Sequence, residues 1–179
     1  MITIQNVEYE HKSTLRNLLE LYKYDFSEFD PEDVNENGLY DYKYLDHYWT
    51  EEGRHPFFIR VDGKLAGFVL VRMIGTNEHN QPIYSVAEFF VMKKYRKLGV
   101  GITASAEVFN RLRGIWKVAQ FENNKPAQIF WKKAIERCTN NNFQEVRENE
   151  WMDLFKRFQT KLNRTGTGST ENTSGGRRG

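Results

Sequence analysis

The sequence predicts one mixed α/β domain with a mostly antiparallel central sheet, flanking helices and one parallel strand pair. Three observations carry this. Pro56–Val61 and Lys64–Ile74 are apolar runs joined by Asp62-Gly63, a dipeptide suited to the positive φ angles of a tight hairpin. From Ile83 to Cys138 the pattern alternates strand, helix, strand, helix, which implies a right-handed parallel crossover. Phe143–Val146 and Trp151–Phe155 then read as a closing hairpin, with a helix over Trp151–Phe158 as the alternative.

Each element has its local reason. Met1–Val7 reads as a short strand. Glu8–Tyr24 reads as a helix, because Leu15, Leu18, Leu19 and Tyr22 recur at helical spacing. Asp25–Gly53 is polar and aromatic and predicts turns around one helix near Tyr42–Trp49. Gly75–Gln81 is a loop and Ile83–Met92 the next strand. Val100–Arg113 is a helix, Ile115–Phe121 a strand, and Lys125–Cys138 a helix with Pro126 at its start, where a missing N–H costs nothing. Thr139–Asn142 is a turn. Thr165–Gly179 holds Gly, Ser, Thr and Arg with no apolar side chain. Residues 1–162 are therefore assigned to a single domain, and 163–179 to a disordered tail or an appended remnant.

Composition narrows the function. The chain has 179 residues, 39% of them hydrophobic and 15% aromatic, enough for one sizeable core. A net charge of +2 argues against a general nucleic-acid binder. Cys138 is the single cysteine, so no intramolecular disulfide forms. No signal segment or membrane-length apolar run is visible, and the expected address is cytoplasmic. No membrane partner is expected, and a homodimer is among the assemblies allowed.

The most informative stretch is Tyr84–Gly101: an apolar strand, a basic loop, then Arg96-x-x-Gly99-x-Gly101 opening a helix. Gly99 and Gly101 lack Cβ atoms and let backbone N–H groups approach an anion at a helix N-terminus. Lys93, Lys94, Arg96 and Lys97 add positive charge. The pattern points to a pyrophosphate over Lys97–Ile102. Two other readings stand beside it. Gly99–Ala104 also satisfies G-x-G-x-x-A, with Glu122 near the place of a ribose-binding acid. Against that, Lys93–Leu98 intervenes between strand and glycines, and the motif lies past mid-chain. The third reading is a plain glycine-containing turn.

Arg96-Lys97-Leu98-Gly99-Val100-Gly101 resembles the Q/R-x-x-G-x-G/A motif of the GNAT superfamily of acyl-CoA N-acyltransferases. Phe89–Met92 resembles that family's central strand, and Asn124–Trp131 resembles its N-x-x-A-x-x-x-Y pattern. Both motifs stand in the family's order, over roughly residues 2–150. The resemblance implies a parallel strand pair that splays apart and holds acyl-CoA. It also implies a bulge at Phe90–Met92 that offers backbone N–H groups to the cofactor. The cofactor-binding residues expected are Phe90, Val91, Met92, Arg96, Lys97, Leu98, Gly99, Val100, Gly101, Ile102, Asn124 and Trp131. The activity implied is transfer of an acetyl group from acetyl-CoA to a primary amine of a small molecule or peptide, by direct attack and without a metal. The sequence departs from the family at Trp131, where a tyrosine usually protonates the leaving thiolate; Phe130 beside it has no hydroxyl either. Tyr84, Tyr95 and Cys138 are candidate substitutes. That departure keeps a non-catalytic acyl-CoA-binding module open as an alternative, with a dinucleotide-binding protein behind it.

Glu88 is the first candidate base, because a carboxylate inside an apolar strand needs a reason: a raised pKa and a proton to take, or an ion pair with Arg72 or Lys117 across the sheet. Glu122 is the second, with capping of the following turn as its other reading. Asn124 is expected to bond the cofactor or to order the helix start. His47 and His55 are lesser bases. Tyr22–Trp49 interleaves aromatic and acidic residues, which suits a cationic amine or, equally, a core with solvated acids. Asp33-Val34-Asn35-Glu36-Asn37-Gly38 copies the start of a calcium loop, but Tyr44 stands where a bidentate Glu is required, so an Asx-type turn is the better reading.

Overall fold

The computed structural model describes residues 1–147 and 153–159. Its strands are β1 (Ile2–Asn6), β2 (Arg54–Val61), β3 (Lys64–Thr76), β4 (Pro82–Val91), β5 (Ile115–Phe121), β6 (Phe143–Arg147) and β7 (Asp153–Gln159). They form one sheet in the order β1-β2-β3-β4-β5-β7-β6. Every neighbouring pair is antiparallel except β4 and β5. The mixed, mostly antiparallel sheet with one parallel pair is the architecture that the sequence pattern predicts.

Helices cover both faces. α1 (Lys12–Phe26) buries Leu15, Leu18 and Leu19 against Phe58, Phe68, Leu70 and Phe90. α3 (Val100–Arg111) and α4 (Lys125–Thr139) cover the opposite face over Val69, Val71, Val86, Trp116 and Val118. Burying a side chain of the Leu or Phe class contributes roughly 1.5–3 kcal/mol, so these two cores fix the sheet between the helix layers.

Two local readings change, the Asx turn holds, and the closing segment is decided in favour of strand. The first helix starts at Lys12, and Tyr9–His11 ahead of it is a 3₁₀ turn. The helix expected near Tyr42–Trp49 shrinks to α2 (His47–Thr50). The segment before it is shaped instead by long-range bonds: the Glu20 carboxylate accepts the amides of Tyr40 and Asp41 at 2.8 and 3.1 Å. Asn35 Oδ1 accepts the amides of Asn37 and Leu39 at 2.8 and 3.1 Å, so the calcium-like stretch is an Asx turn. Finally, Asp153–Gln159 is a strand, not a helix, and inserts between β5 and β6. The tail at 163–179 and the boundary at 162 lie outside the described residues, as does Trp151.

Candidate active site

β4 and β5 pair only from Ile83 to Val86 and from Ile115 to Val118. Beyond Val86 and Val118 the two strands part, and a cleft of about 660 Å³ opens between them. Its walls are largely apolar and aromatic: Phe26, Phe29, Phe89, Phe121, Phe130 and Trp131 line it, and Phe26 meets Phe121 with ring centroids 5.4 Å apart. Strands that part leave ladder groups in need of a new partner. One such group, and one buried side-chain acceptor, stand at the parting. The Val91 carbonyl accepts Arg96 Nε at 2.7 Å, on the edge away from β3. In a strand, a residue's N–H and C=O point to the same edge, so the Val91 amide faces the gap. On β5, the Gln120 side chain is buried in the cleft wall, and its Oε1 has no hydrogen-bond partner among the described residues. An acceptor in that position fits an amide N–H of a pantetheine arm.

The bulge does not lie at Phe90–Met92. Those residues keep regular register with β3, Phe68 opposite Phe90 and Gly67 opposite Val91, and the Met92 amide donates to the Ala66 carbonyl at 2.9 Å. The extra residue is Ala87, since Leu70 faces Glu88 while Val71 faces Val86. This position matters for chemistry. Side chains two apart on a regular strand share a face. Val86 packs under α3 and α4, yet Glu88 meets Tyr22 of α1 on the opposite face. The bulge turns Glu88 across the sheet at the point where the strands divide.

The glycine loop forms the cleft's other end. Gly99 has φ +78°, a left-handed conformation that fits a residue without Cβ, and it caps α3. The Thr103 amide is the first to return to the loop, bonding the Gly99 carbonyl at 3.0 Å. The amides ahead of it are those that a helix start leaves without acceptors. A Cβ on Gly101 would fall 2.9 Å from Phe130 Cε2, so this glycine lets α3 and α4 approach. Lys97, Gly101 and Arg96 line the cleft, whereas Leu98 is exposed. Arg96 is not a free cation: its guanidinium pairs with Asp25, which Lys93 also approaches at 3.3 Å.

In the second motif, Asn124 caps α4 by accepting the Ala127 amide at 3.0 Å, while also lining the cleft. Trp131 lines the cleft, buried edge-on against Phe89 and Phe130 with ring centroids 4.9 Å away. Neither Trp131 nor Phe130 offers a hydroxyl. The substitutes named from sequence stand elsewhere. Tyr84 packs on Trp116, Tyr95 joins the core under α3 and α4, and Cys138 sits in the last turns of α4; none lines the cleft.

Glu88 is the titratable centre. Tyr22 donates its hydroxyl to Glu88 Oε2 at 2.6 Å. Burial pushes the Glu88 carboxyl above the usual carboxylate range, and the hydroxyls of Tyr22 and Tyr42 restrain that rise. Burial and the Glu88 charge raise Tyr22, Tyr42 and Tyr48 in turn, the last to about 12. The sequence reading held Tyr22 and Tyr42 within the aromatic stretch Tyr22–Trp49 but did not link either hydroxyl to Glu88. Glu122 is exposed in the turn after β5, and lines neither the cleft nor the cavity described next. His47 packs on Tyr44, and His55 on Phe57 and Tyr84.

A second cavity, of about 560 Å³, shares Lys23, Ala87 and Glu88 with the cleft. Tyr42 and Tyr44 line it. The acids nearby are mostly matched by cations: Asp30 and Glu32 by Lys23, Asp41 by Arg16, Asp46 by Lys12 and Asp25 by Arg96. The acidic face expected over Tyr22–Trp49 is thus largely neutralised from within. Among the described residues no three His, Cys, Asp or Glu side chains converge as a metal site, and no helix is long and apolar enough to cross a membrane.

The profile of the acetyltransferase (GNAT) family matches residues 15–135. No curated protein sequence matches the chain. Among solved structures, a GNAT-family acetyltransferase from Staphylococcus aureus Mu50 is 16% identical, with a TM-score of 0.60 over 90% of this chain and 100% of that one. An acetyltransferase from Thermus thermophilus is 14% identical with a TM-score of 0.64, over 89% and 97%. The PaiA N-acetyltransferase from Thermoplasma acidophilum, solved with coenzyme A, is 13% identical with a TM-score of 0.60, over 89% and 99%. At such identities the likeness speaks to the fold.

Proposed function

The chain belongs to the acetyltransferase (GNAT) family of acyl-CoA-dependent enzymes, and from that premise we propose that it moves an acetyl group from acetyl-CoA to a primary amine of a small molecule or peptide. One observation carries the reading: Glu88 is turned by the Ala87 bulge to the place where β4 and β5 part. Acetyl-CoA supplies a thioester carbonyl open to attack. Its pyrophosphate is assigned to the amides that open α3 around Gly99, its pantetheine arm to Gln120 and Asn124. The Val91 amide is assigned to the thioester oxygen; a donor aimed at developing negative charge contributes about 2.7–4 kcal/mol to the transition state.

Glu88 takes the proton that the amine must lose before or during attack, directly or through one water. Its raised pKa brings it closer to the operating pH, which is where general bases work best. With Trp131 in place of a hydroxyl donor, the leaving thiolate takes its proton from water. Residues 1–162 are assigned to one catalytic domain, because β7 completes the sheet between β5 and β6.

The test is release of free thiol from acetyl-CoA with and without an amine panel, with the product identified by mass spectrometry. An amide product is expected. Acetyl-CoA binding with no amine acetylated would sink the reading.

A further inference from the structure

We propose that the second cavity is the acceptor site and that its natural substrate is an amine bearing an oxyanion, such as the carboxylate of an amino acid. This rests on the acyltransferase reading above. The cavity meets the cofactor cleft at Ala87 and Glu88, so a molecule held there presents its amine at the bulge. What remains is the chemistry of the opposite wall.

That wall is cationic. Arg54 and Arg72 stand directly opposite each other in the register of β2 and β3, and both line the cavity. Like charges in that relation repel, unless anions compensate them. Arg54 has its anion: Glu51 accepts from its Nε at 2.9 Å and sits 2.8 Å from its Nη2. The guanidinium also lies over the Tyr48 ring, 5.6 Å from its centroid. Arg72 is exposed and makes no contact ion pair among the described residues, and its charge favours the ionised form of Glu88 across the cavity. Lys43 also lines the cavity, over the Tyr44 ring at 4.7 Å from its centroid.

The cavity's acids do not offset this charge. Glu32 is bound to Lys23, and Asp41 to Arg16 and Asn35. Glu88 alone faces the reacting end. The cavity therefore carries an arginine without a contact partner at one end and a carboxyl at the other, whose charges act on each other only across the cavity; an amine with an attached oxyanion is the complement of that pair. The spacing agrees. Leu70, opposite Glu88, and Arg72 are two residues apart on β3, roughly 7 Å. A guanidinium also offers two parallel donors to a carboxylate, a geometry that a surface lysine lacks. This departs from the sequence-based reading in which the acids of Tyr22–Trp49 select the acceptor by its positive charge alone.

The experiment compares matched acceptors with the full chain and acetyl-CoA: amino acids, their carboxamides, and the corresponding decarboxylated amines. The acids are expected to exceed their carboxamides in kcat/KM by about ten- to a hundredfold, chiefly through KM, as the loss of a charge-assisted bond predicts. Arg72→Gln should collapse that ratio toward one, and Arg72→Lys should restore part of it. Equal use of acids and carboxamides by the wild type, or a ratio untouched by Arg72→Gln, overturns the proposal. Calorimetric titration with acetyl-CoA separates the two readings. Failure to bind acetyl-CoA defeats the acyltransferase assignment itself; binding together with a preference for cationic or neutral amines defeats only the oxyanion site.

Discussion

The two cavities that meet at Glu88 are built from different materials. The cleft between β4 and β5 joins an aromatic lining to exposed backbone: parted strands and, at one end, the helix start behind a left-handed glycine. The second cavity is made of side chains drawn from α1, from the segment before α2, and from β2 and β3. Backbone sites recognise what every acyl-CoA shares and vary little with side-chain identity. Side-chain sites discriminate, and one substitution changes their preference. On the proposed reading the difference divides the labour: the cleft sets the reaction, and the cavity sets the acceptor.

The sharpest way to break that division is at the shared residue. Glu88→Gln should lower kcat by about 10²–10⁴-fold while leaving acetyl-CoA affinity within a factor of a few, since general-base catalysis is lost and the cleft walls are kept. Steady-state kinetics beside calorimetry measures both. A fall in affinity as large as the fall in kcat would mean that Glu88 belongs to the cleft's architecture.

Gly101→Leu attacks the cleft alone. Its Cβ would press on Phe130 and force α3 from α4, so acetyl-CoA affinity should fall about tenfold or more. Acceptor selectivity in the residual activity should stay as in the wild type. Unchanged affinity removes the loop from the cofactor site.

Tyr22→Phe tunes Glu88 without removing it. The Tyr22 hydroxyl bonds the carboxylate and favours its charged form. Without that bond the Glu88 pKa rises further. A base must be deprotonated to act, so the acid limb of the kcat/KM profile should move to higher pH. A limb that stays in place, or moves down, separates Glu88 from the titration.

Smaller effects come from Trp131 and Asp25. Trp131→Tyr puts a hydroxyl where the family usually has one, and turnover should hold or rise by a few-fold; a tenfold loss would show that the indole's packing on Phe89 dominates. Asp25→Asn frees Arg96 and Lys93. A partly exposed ion pair contributes about 0.2–1 kcal/mol, so a change of a few-fold in KM is expected, for acetyl-CoA and not for the amine. The reverse pattern would return Asp25 to the acceptor side.

Local signals in the sequence account for most of the sheet and for the glycine loop that opens α3. Hairpin and helix signals are local, and Arg96-x-x-Gly99-x-Gly101 and Asn124-x-x-Ala127 act through backbone within one turn, so short-range reasoning reaches them. Glu88 was also legible, as a charge in an apolar strand. Only the tertiary structure decided what surrounds it. Tyr22 lies 66 positions away, and the one-residue slip at Ala87 appears only when β4 is laid against β3. The same holds for charge. Composition shows the acids of Tyr22–Trp49, but Arg16, Lys23 and Arg96 neutralise them by folding back, and the opposition of Arg54 and Arg72 exists only in the register of two paired strands. Short-range patterns follow from the geometry of a single helix or strand; ion pairs and cavity walls follow from contacts between residues that the chain order keeps apart.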